Sequence, residues 1–338
     1  MSVFNDAAFV AQAVESILGQ TWQDFEFLAI DDGSTDGSGD YLAQMHDPRL
    51  RLWRNEKNLG LTRSLKLGIE MAQGQYIVRM DADDIAHTER LARQIAYLDQ
   101  HPEVGVLGSA CRLIDAQGHK QGEYPAPGDD LHIRWTSLLS NPFVHPTVML
   151  RREVLTHNRL NYDEAYRVTQ DYDLWTRMLR YTQGANLQRH LLQYRRRHGM
   201  TSLHRPDQLW HHDTVALRTI REQLPDLDIT PEQVSDLRAL LVGGRESRPG
   251  LETRRAALAD LYLDMLQAFA NRHPGKAEMQ NINRHAAAKV IFFCLYPLFP
   301  PGTRRILRRL TTLDPAWPSY VASEFLHAAI RRFYRGRL

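Results

Sequence analysis

The stretch FEFLAIDDGSTDGSGDYL, residues 25–42, places an apolar run directly before a turn rich in aspartate and glycine. The run Phe25–Ile30 predicts a buried β-strand, and the residues after the turn favour a short helix. Oxygen-bearing side chains at alternate positions of the turn also fit the first nine positions of a calcium-binding loop. The twelfth position of such a loop carries glutamate and is Ala43 here. The sequence therefore favours a strand, a turn and a helix, with calcium binding as the weaker alternative.

The alternation of strand and helix continues over the first hundred residues. Apolar residues recur at helical spacing in 9–18, 60–72 and 89–99, and β-like runs lie at 50–54 and 75–80. Strands that alternate with helices predict an α/β fold with a doubly wound, mostly parallel sheet flanked by helices. In such sheets ligands bind beyond the carboxyl ends of the strands, which is where the acidic turn lies.

A second acidic turn, DADD at residues 81–84, follows the apolar run QYIVRM. Carboxylates this close repel one another unless they share a cation, and a divalent ion with a ribose or diphosphate group would complete such a site. The alternative is that a helix begins here, with Asp84 as its capping residue. Two acidic turns at neighbouring strand ends favour one shared ligand site.

Composition and charge limit the classes of protein to which this chain can belong. The 338 residues carry a net charge of +2, and the two cysteines, Cys111 and Cys294, are too few for a disulfide framework. There is no secretory signal and no run of about 18 apolar residues, so we expect a cytoplasmic protein. Residues 271–338 hold twelve Lys or Arg against three acids, which gives this tail a charge of +9 and the remainder −7. A basic tail on an acidic body indicates an anionic partner surface, either membrane or nucleic acid.

Several segments together resemble glycosyltransferase family 2, whose members have the GT-A fold. They are SVFNDAAFVAQAVESILGQTWQDFEFLAIDDGSTDGS, NEKNLGLTRSLKLGIEMAQGQYIVRMDADD, NPFVHPTVMLRREVL, VTQDYDLWTRM and YRRRHGMTS, in the order expected of the family. The resemblance implies inverting transfer of a sugar from a nucleotide diphosphate sugar, with UDP the expected nucleotide, to an acceptor hydroxyl. It implies a divalent metal, Mg²⁺ or Mn²⁺, as cofactor. The resemblance covers roughly the first 200 residues and implies a catalytic domain over residues 1–204. The helical, polar pattern after His204 and the basic charge predict a helical and basic region over 205–338.

The resemblance carries functional roles over to individual positions. The catalytic ones are Asp171, as general base, and His145, near the transferred sugar. The positions for the nucleotide-sugar donor are Phe4, Asn5, Asp32, Asp81, Asp83 and His198. Among these, Phe4 would lie against the base, Asp32 would accept a hydrogen bond from it, and Asp81 would face the ribose. Asp83 would bind the metal, and His198 would reach the diphosphate.

The residues alone leave other readings of these positions open. Asp171 precedes an apolar helical stripe and could cap that helix. His145 could be a hydrogen-bonded loop histidine, and the arginines at 195–197 could be a solvated strand edge or could attract the diphosphate. Inversion by in-line attack does require a carboxylate on the face opposite the leaving group, and Asp171 suits that role.

Two other functions compete with sugar transfer. A sugar nucleotidyltransferase would need a glycine-rich, basic loop near the first strand, which SVFNDAAF lacks. A non-catalytic binding protein of the same fold would be expected to lose its acids, whereas Asp32, Asp81, Asp83 and Asp171 are all present. A Q-x-x-R-W run typical of processive synthases is absent, which favours single transfers.

The expected acceptor is a saccharide or lipid-linked saccharide of bacterial cell-surface polysaccharide assembly, such as lipopolysaccharide, capsule or exopolysaccharide. An apolar stretch at 290–301 stands beside four arginines at 304, 305, 308 and 309. This combination suits peripheral contact with an anionic membrane, and no nucleic acid partner is expected. The alternative is a core helix or a dimer contact at 291–298, with the arginines as a solvated face. Family members begin several residues before the SVFN segment, so the resemblance implies either an upstream start or a shortened first strand.

Overall fold

The computed structural model describes residues 1–197, 206–242, 250–291, 302–319 and 322. The chain divides into two compact units. The first comprises Met1–Ser137 and Asn141–His212, and the second comprises Leu138–Ser140 and Asp213–Leu338. The predicted boundary between residues 204 and 205 falls outside the described residues and stays a prediction.

The first unit begins with a three-stranded parallel sheet. Its strands are β1 (Ser2–Val3), β2 (Phe27–Asp31) and β3 (Leu50–Arg54), adjacent in that order. The accompanying helices are α1 (Val10–Leu18), α2 (Ser38–Ala43) and α3 (Leu61–Met71). Helix α1 buries Val10, Ala13, Val14 and Ile17, which recur at helical spacing. These side chains join Phe27 and Ala29 of β2 in one apolar cluster, which holds the helix against the sheet.

A six-stranded mixed sheet follows. Its strands are β4 (Tyr76–Val78), β5 (Ile85–Ala86), β6 (Val104–Ile114), β7 (Lys120–Tyr124), β8 (Met149–Arg151) and β9 (Gln183–Arg195). The order is β4, β8, β6, β9, β5, with β7 attached to β6. Strand β8 is antiparallel to β4 and β6, whereas β6 and β9 are parallel. A parallel bridge between Ser2 and Asp81 links the two sheets, and the predicted α/β fold, with sheets flanked by helices, is confirmed.

The second half of this unit adds four helices around the mixed sheet. They are α4 (Arg90–Gln100), α5 (Asp130–Ser137), α6 (Arg152–His157) and α7 (Gln170–Met178), and a 3₁₀ turn spans His145–Thr147. The buried Arg90 donates to the Arg79 carbonyl at 2.9 Å, and Gln94 donates to the Thr147 carbonyl at 2.8 Å. Helix α4 therefore begins after the DADD turn and is tied to Arg79, two residues before that turn. Its N-cap residue is Glu89, so the alternative that Asp84 caps a helix is wrong.

The turn after β2 depends on glycine. Gly33 has φ +76° and Gly37 has φ +96°, a region that favours residues without a Cβ. A Cβ at Gly33 would lie 2.7 Å from the carbonyl carbon of Lys57. Glycine is therefore what allows the loop at 55–60 to approach this turn.

An apolar cavity of about 700 Å³ lies along β2, α3 and β4. Leu65 and Ile69 of α3 and Ile77 of β4 contribute to its wall. Strand β1 pairs with β2 over two residues, and Ser2 of β1 borders the cavity together with Phe27 and Leu28 of β2.

The helices after residue 205 are α8 (Pro206–Gln223), α9 (Pro231–Leu241), α10 (Leu251–Arg272), α11 (Glu278–Lys289) and α12 (Thr303–Leu313). Thr230 and Gln233 form a reciprocal capping box at the start of α9. Helix α12 buries Ile306 and Leu310, and its Arg305 and Arg309 both pair with Asp260 of α10. Within the described ranges, none of the helices combines the length and apolarity that crossing a bilayer requires.

Candidate active site

The two acidic turns lie at neighbouring strand ends. Strand β2 ends at Asp31, and the chain beyond β4 reaches Asp81, which bridges to Ser2 of β1. Asp81, Asp83 and Asp84 each offer a carboxylate oxygen, and these oxygens lie within 4.8 Å of one another. The structure thus brings the predicted Asp81 and Asp83 together and adds Asp84 to them. We call these three residues the carboxylate cluster.

Burial makes the carboxylate cluster unfavourable as three anions. Burial, together with the charge of Asp81, raises the pKa of Asp83 to about 6. The pKa of Asp84 is raised well above its ordinary value by burial and by Asp81 and Asp83. Asp84 Oδ1 accepts the Arg195 amide at 2.8 Å, whereas Oδ2 is buried without a hydrogen-bond partner. An orphaned carboxylate oxygen beside two further carboxylates fits a divalent cation, whose oxygen ligands are of this kind.

Two buried arginines donate hydrogen bonds to residues of the carboxylate cluster. Arg79 donates through Nη1 to Asp81 Oδ2 at 2.6 Å and through Nη2 to the other oxygen of the same carboxylate. Arg195 is 2 % exposed, and its Nε donates to the Asp83 carbonyl at 2.7 Å. The alternative of a solvated strand edge at 195–197 is therefore wrong for Arg195, which is buried and holds the backbone of the carboxylate cluster. Arg196 is exposed.

Arg197 connects the carboxylate cluster to the end of β1. Its Nε donates to Asp83 Oδ2 at 2.8 Å, and its Nη2 lies 2.8 Å from Asp6 Oδ1. The guanidinium also stacks 5.0 Å from the centre of the Phe9 ring. A guanidinium thus pairs with the carboxylate that was predicted to bind a metal. His198, the next residue, lies outside the described part of the chain.

Asp32, the predicted base ligand, is 1 % exposed. Its Oδ1 accepts hydrogen bonds from Asn55 Nδ2 at 2.8 Å and from the Leu59 amide at 2.9 Å. Its Oδ2 accepts the Gly60 amide at 2.9 Å. The carboxylate of Asp32 therefore holds the loop at 55–60 against the turn that follows β2.

Phe4 and Asn5, predicted to contact the nucleotide, stand at the end of β1. Phe4 is 43 % exposed, so its ring is presented at the surface. Asn5 adopts φ +53°, and its Oδ1 accepts the Thr35 amide at 2.9 Å. Asn5 thus ties the end of β1 to the turn after β2, beside the exposed ring.

Helix α7 carries the predicted general base. Asp171 lies in its first turn, and Thr169, with φ +75°, is the N-cap residue, so the alternative that Asp171 is the cap is wrong. Asp171 Oδ2 accepts Asn141 Nδ2 at 2.7 Å, and the side chain keeps 17 % exposure. Burial raises the pKa of Asp171, against the opposing effects of the Tyr172 amide and Arg79. A partly exposed carboxylate with a raised pKa is a stronger base than an ordinary aspartate.

His145, predicted near the transferred sugar, lies beside this carboxylate. Its Nδ1 is 3.9 Å from Asp171 Oδ2, and its Nε2 is 2.9 Å from Tyr162 Oη. Burial and the charge of Arg79 hold the pKa of His145 well below its ordinary value. The imidazole is therefore neutral, which supports a hydrogen-bonding role over proton transfer.

The sequence did not reveal three residues of the site: Asp6, Asn141 and Tyr162. The backbone carbonyl of Asp6 accepts the Val10 amide at the start of α1, while its side chain binds Arg197. Asn141 stands before a proline in NPFVHPTV, a segment that the family resemblance already marks. Tyr162 carries no local signal, because its partner His145 is 17 residues away.

The fold and the carboxylate cluster define an α/β domain of the GT-A class. The chain is similar to the crystal structure of Staphylococcus aureus TarS 1-349 in complex with UDP-GlcNAc, with a TM-score of 0.57 and 16% sequence identity. The similarity covers 94% of this chain and 90% of that one.

Two comparisons of sequence narrow the class. A sequence model described as glycosyl transferase family 2 matches residues 1–158. The putative glycosyltransferase EpsE of Bacillus subtilis is 32% identical over 207 residues, which cover 58% of this chain and 71% of EpsE. The chain belongs to glycosyltransferase family 2.

A further relative is named after a polysaccharide. The amylovoran biosynthesis glycosyltransferase AmsE of Erwinia amylovora is 31% identical over 178 residues, or 50% of this chain and 63% of AmsE. The chain spans less than two thirds, 63% to 65%, of the length of several curated relatives that it matches.

Proposed function

We propose that this chain transfers a sugar from a nucleotide diphosphate sugar, a UDP-sugar, to an acceptor hydroxyl with inversion at the anomeric carbon. What supports this most is that Arg79 acts on two sets of acids. Its guanidinium binds Asp81 of the carboxylate cluster, and its charge acts on Asp171 of α7. One site would thus contain both a cation-binding group and a general base.

The donor would lie across the ends of β1 and β2. Phe4 would contact the nucleotide base, and Asp32 Oδ2, which accepts one hydrogen bond from the protein, would accept a second one from the base. Asn5 would hold the turn beside it, and Asp81 would face the ribose. His198 would reach the diphosphate.

The carboxylate cluster would hold Mg²⁺ or Mn²⁺ through Asp83, with Asp81 and Asp84 beside it. When bound, the ion offsets the negative charge that the departing diphosphate gains.

Asp171 would act as the general base for in-line attack. The acceptor oxygen forms a bond to the anomeric carbon while the bond from that carbon to the diphosphate oxygen breaks, and the acceptor proton passes to the Asp171 carboxylate. Its raised pKa favours proton acceptance, and its remaining exposure leaves a path for the acceptor. His145 would stay neutral and orient groups by hydrogen bonding.

We further propose that the acceptor is a saccharide or lipid-linked saccharide of cell-surface polysaccharide assembly, extended one sugar at a time. Relationship to AmsE, named for amylovoran biosynthesis, supports this acceptor class. A cytoplasmic enzyme that meets an anionic membrane from one side would suit a lipid-linked acceptor. On α12, Arg304 and Arg308 are exposed for such a contact, whereas Arg305 and Arg309 are paired with α10.

The test of the proposed function is the release of nucleoside diphosphate from UDP-glucose, UDP-GlcNAc and GDP-mannose, with and without Mn²⁺. We expect metal-dependent release from one donor and a loss of about a thousandfold in Asp171→Asn, which removes the base but keeps the shape. Asp163→Asn, an exposed aspartate of the loop before α7, is the control. Equal release by the wild type and Asp171→Asn would exclude Asp171 as the base.

A further inference from the structure

Asn141 makes a direct contact with the proposed base, and the backbone fixes the orientation of its amide. Nδ2 donates to Asp171 Oδ2 at 2.7 Å, and Oδ1 accepts the Phe143 amide at 3.1 Å. A backbone N–H can only donate, so the oxygen of the Asn141 amide must face Phe143. The NH₂ group must then face Asp171, which means that the contact is a donated hydrogen bond to a carboxylate.

The loop that carries Asn141 is held against the helix that carries Asp171. Phe143 is 4 % exposed, and its ring meets the Trp175 ring of α7 edge-on, with 6.1 Å between the centroids. Asn186 Nδ2 of β9 donates to the Pro142 carbonyl at 3.3 Å. Asn141 is therefore a fixed donor whose distance to Asp171 is set by packing on both sides.

We infer that Asn141 is a positioning residue for the transfer reaction, which holds the Asp171 carboxylate ionised and oriented toward the acceptor. This inference rests on the proposed function. A hydrogen bond donated to the charged form of an acid favours that form. The other charged or titratable groups that face Asp171 are Arg79, which also favours the anion, the neutral His145 and Tyr162. Asn141 adds an uncharged donor to these groups, 2.7 Å from Asp171 Oδ2, whereas His145 Nδ1 lies 3.9 Å from the same oxygen.

The experiment compares Asn141→Asp with Asn141→Ala. Asn141→Asp keeps the size of the side chain and the oxygen that accepts the Phe143 amide, and it replaces the donor with a second carboxylate. Two carboxylates at this distance cannot both ionise readily, so the pKa of the pair rises. For both variants we expect kcat to fall about ten- to hundredfold. We also expect an unchanged KM for the donor and an acidic limb of kcat that moves to higher pH.

A second measurement is independent of turnover. In protein labelled with ¹³C at the aspartate carboxyls, the Asp171 resonance is assigned by its loss in Asp171→Asn, and it is then titrated. We expect it to titrate at higher pH in Asn141→Ala than in the wild type. Asn158→Ala is the matched control, because Asn158 Nδ2 donates to the Val154 carbonyl at the end of α6.

The outcomes separate this inference from the proposed function. An unchanged Asp171 titration in folded Asn141→Ala, or an unshifted pH profile in Asn141→Asp, would overturn the role of Asn141. Normal turnover in Asp171→Asn would instead overturn the proposed base. Thermal unfolding of each variant confirms that it is folded before either comparison is made.

Discussion

The turns after β2 and β4 have similar compositions and contrasting environments. In the turn after β2, Asp31 and Asp32 are buried, and every carboxylate oxygen accepts a hydrogen bond, from donors that include the Ser34, Leu59 and Gly60 amides. In the turn after β4, Asp84 Oδ2 has no partner, and Asp83 Oδ2 is contacted by the side chain of Arg197. Three of the five donors in the first turn belong to the backbone.

The difference lies in which donors can be exchanged. A backbone amide cannot leave a buried carboxylate without unfolding its turn, whereas a side chain can turn away and a cation can take its place. The turn after β2 is therefore a structural support, and the carboxylate cluster after β4 is the place for an ion. The acids at the calcium-like positions of the first turn are also engaged by protein groups. Asp36 accepts the Ala7 amide, and Asp40 pairs with Arg54.

The largest effect should follow from breaking the first turn. In Asp32→Ala, three donors lose their acceptor, and buried unsatisfied donors cost roughly 1–3 kcal/mol each, so the free energy of unfolding should fall by about 4 kcal/mol. Urea denaturation followed by circular dichroism measures this change. Asp40→Ala, in the helix α2 that follows the turn, is the control, because the Asp40 side chain is 68% exposed. A loss no larger than that of the control would show that the turn does not depend on Asp32.

The next effect concerns the second turn and the ion. Asp83→Ala removes one of three carboxylates within ligand distance of one another, and we expect Mn²⁺ affinity to fall about a hundredfold, or about 2.7 kcal/mol. Isothermal titration calorimetry without nucleotide gives the affinity, and Asp40→Ala again serves as the control. Wild-type affinity in Asp83→Ala would place the ion elsewhere.

The pH dependence of stability should also distinguish the two turns. The pKa of Asp83, about 6 in the folded protein, lies above its unfolded value of about 3.9, so the folded state binds the proton more readily. Without metal, the free energy of unfolding should therefore decrease as pH rises between these two values, by about 2 kcal/mol from this group. Urea denaturation in EDTA, near pH 4.5 and near pH 7, measures the change. Asp83→Asn should lose this part of the dependence, and an unaltered dependence would contradict the assignment.

The α/β fold was predictable because its signals are local. The alternation of strand and helix gave β2, β3, β4 and α3 close to their observed bounds, since burial of one face fixes the period of each element. The antiparallel direction of β8 had no such signal, because it depends on pairing between distant segments, such as Tyr76 with Arg151. Strand direction is a property of the assembled sheet.

The candidate site was predictable in its acids and not in their partners. Asp81 and Asp83 stand in one run of sequence, but Arg197 reaches Asp83 from 114 positions further on, and Asn141 reaches Asp171 from 30 positions away. Which aspartates are saturated by backbone amides also depends on the loop at 55–60, whose approach requires the folded turn. Residue type therefore identified the candidate acids, whereas the number of fixed donors distinguishes the carboxylates that hold a turn from those that are open to an ion.

The smallest effect should come from Arg197, the exchangeable partner in the comparison. Arg197→Ala leaves Asp83 and Asp6 without this guanidinium, so the carboxylate cluster becomes more negative, and a cation no longer competes with a side chain. We expect Mn²⁺ affinity without nucleotide to rise about tenfold, or about 1.4 kcal/mol. Arg196→Ala makes the same change of charge at the exposed neighbouring residue and controls for the general electrostatic effect. If both variants gain affinity equally, long-range charge accounts for the change; a gain confined to Arg197→Ala means that this side chain occupies the ion's carboxylate until the ion arrives.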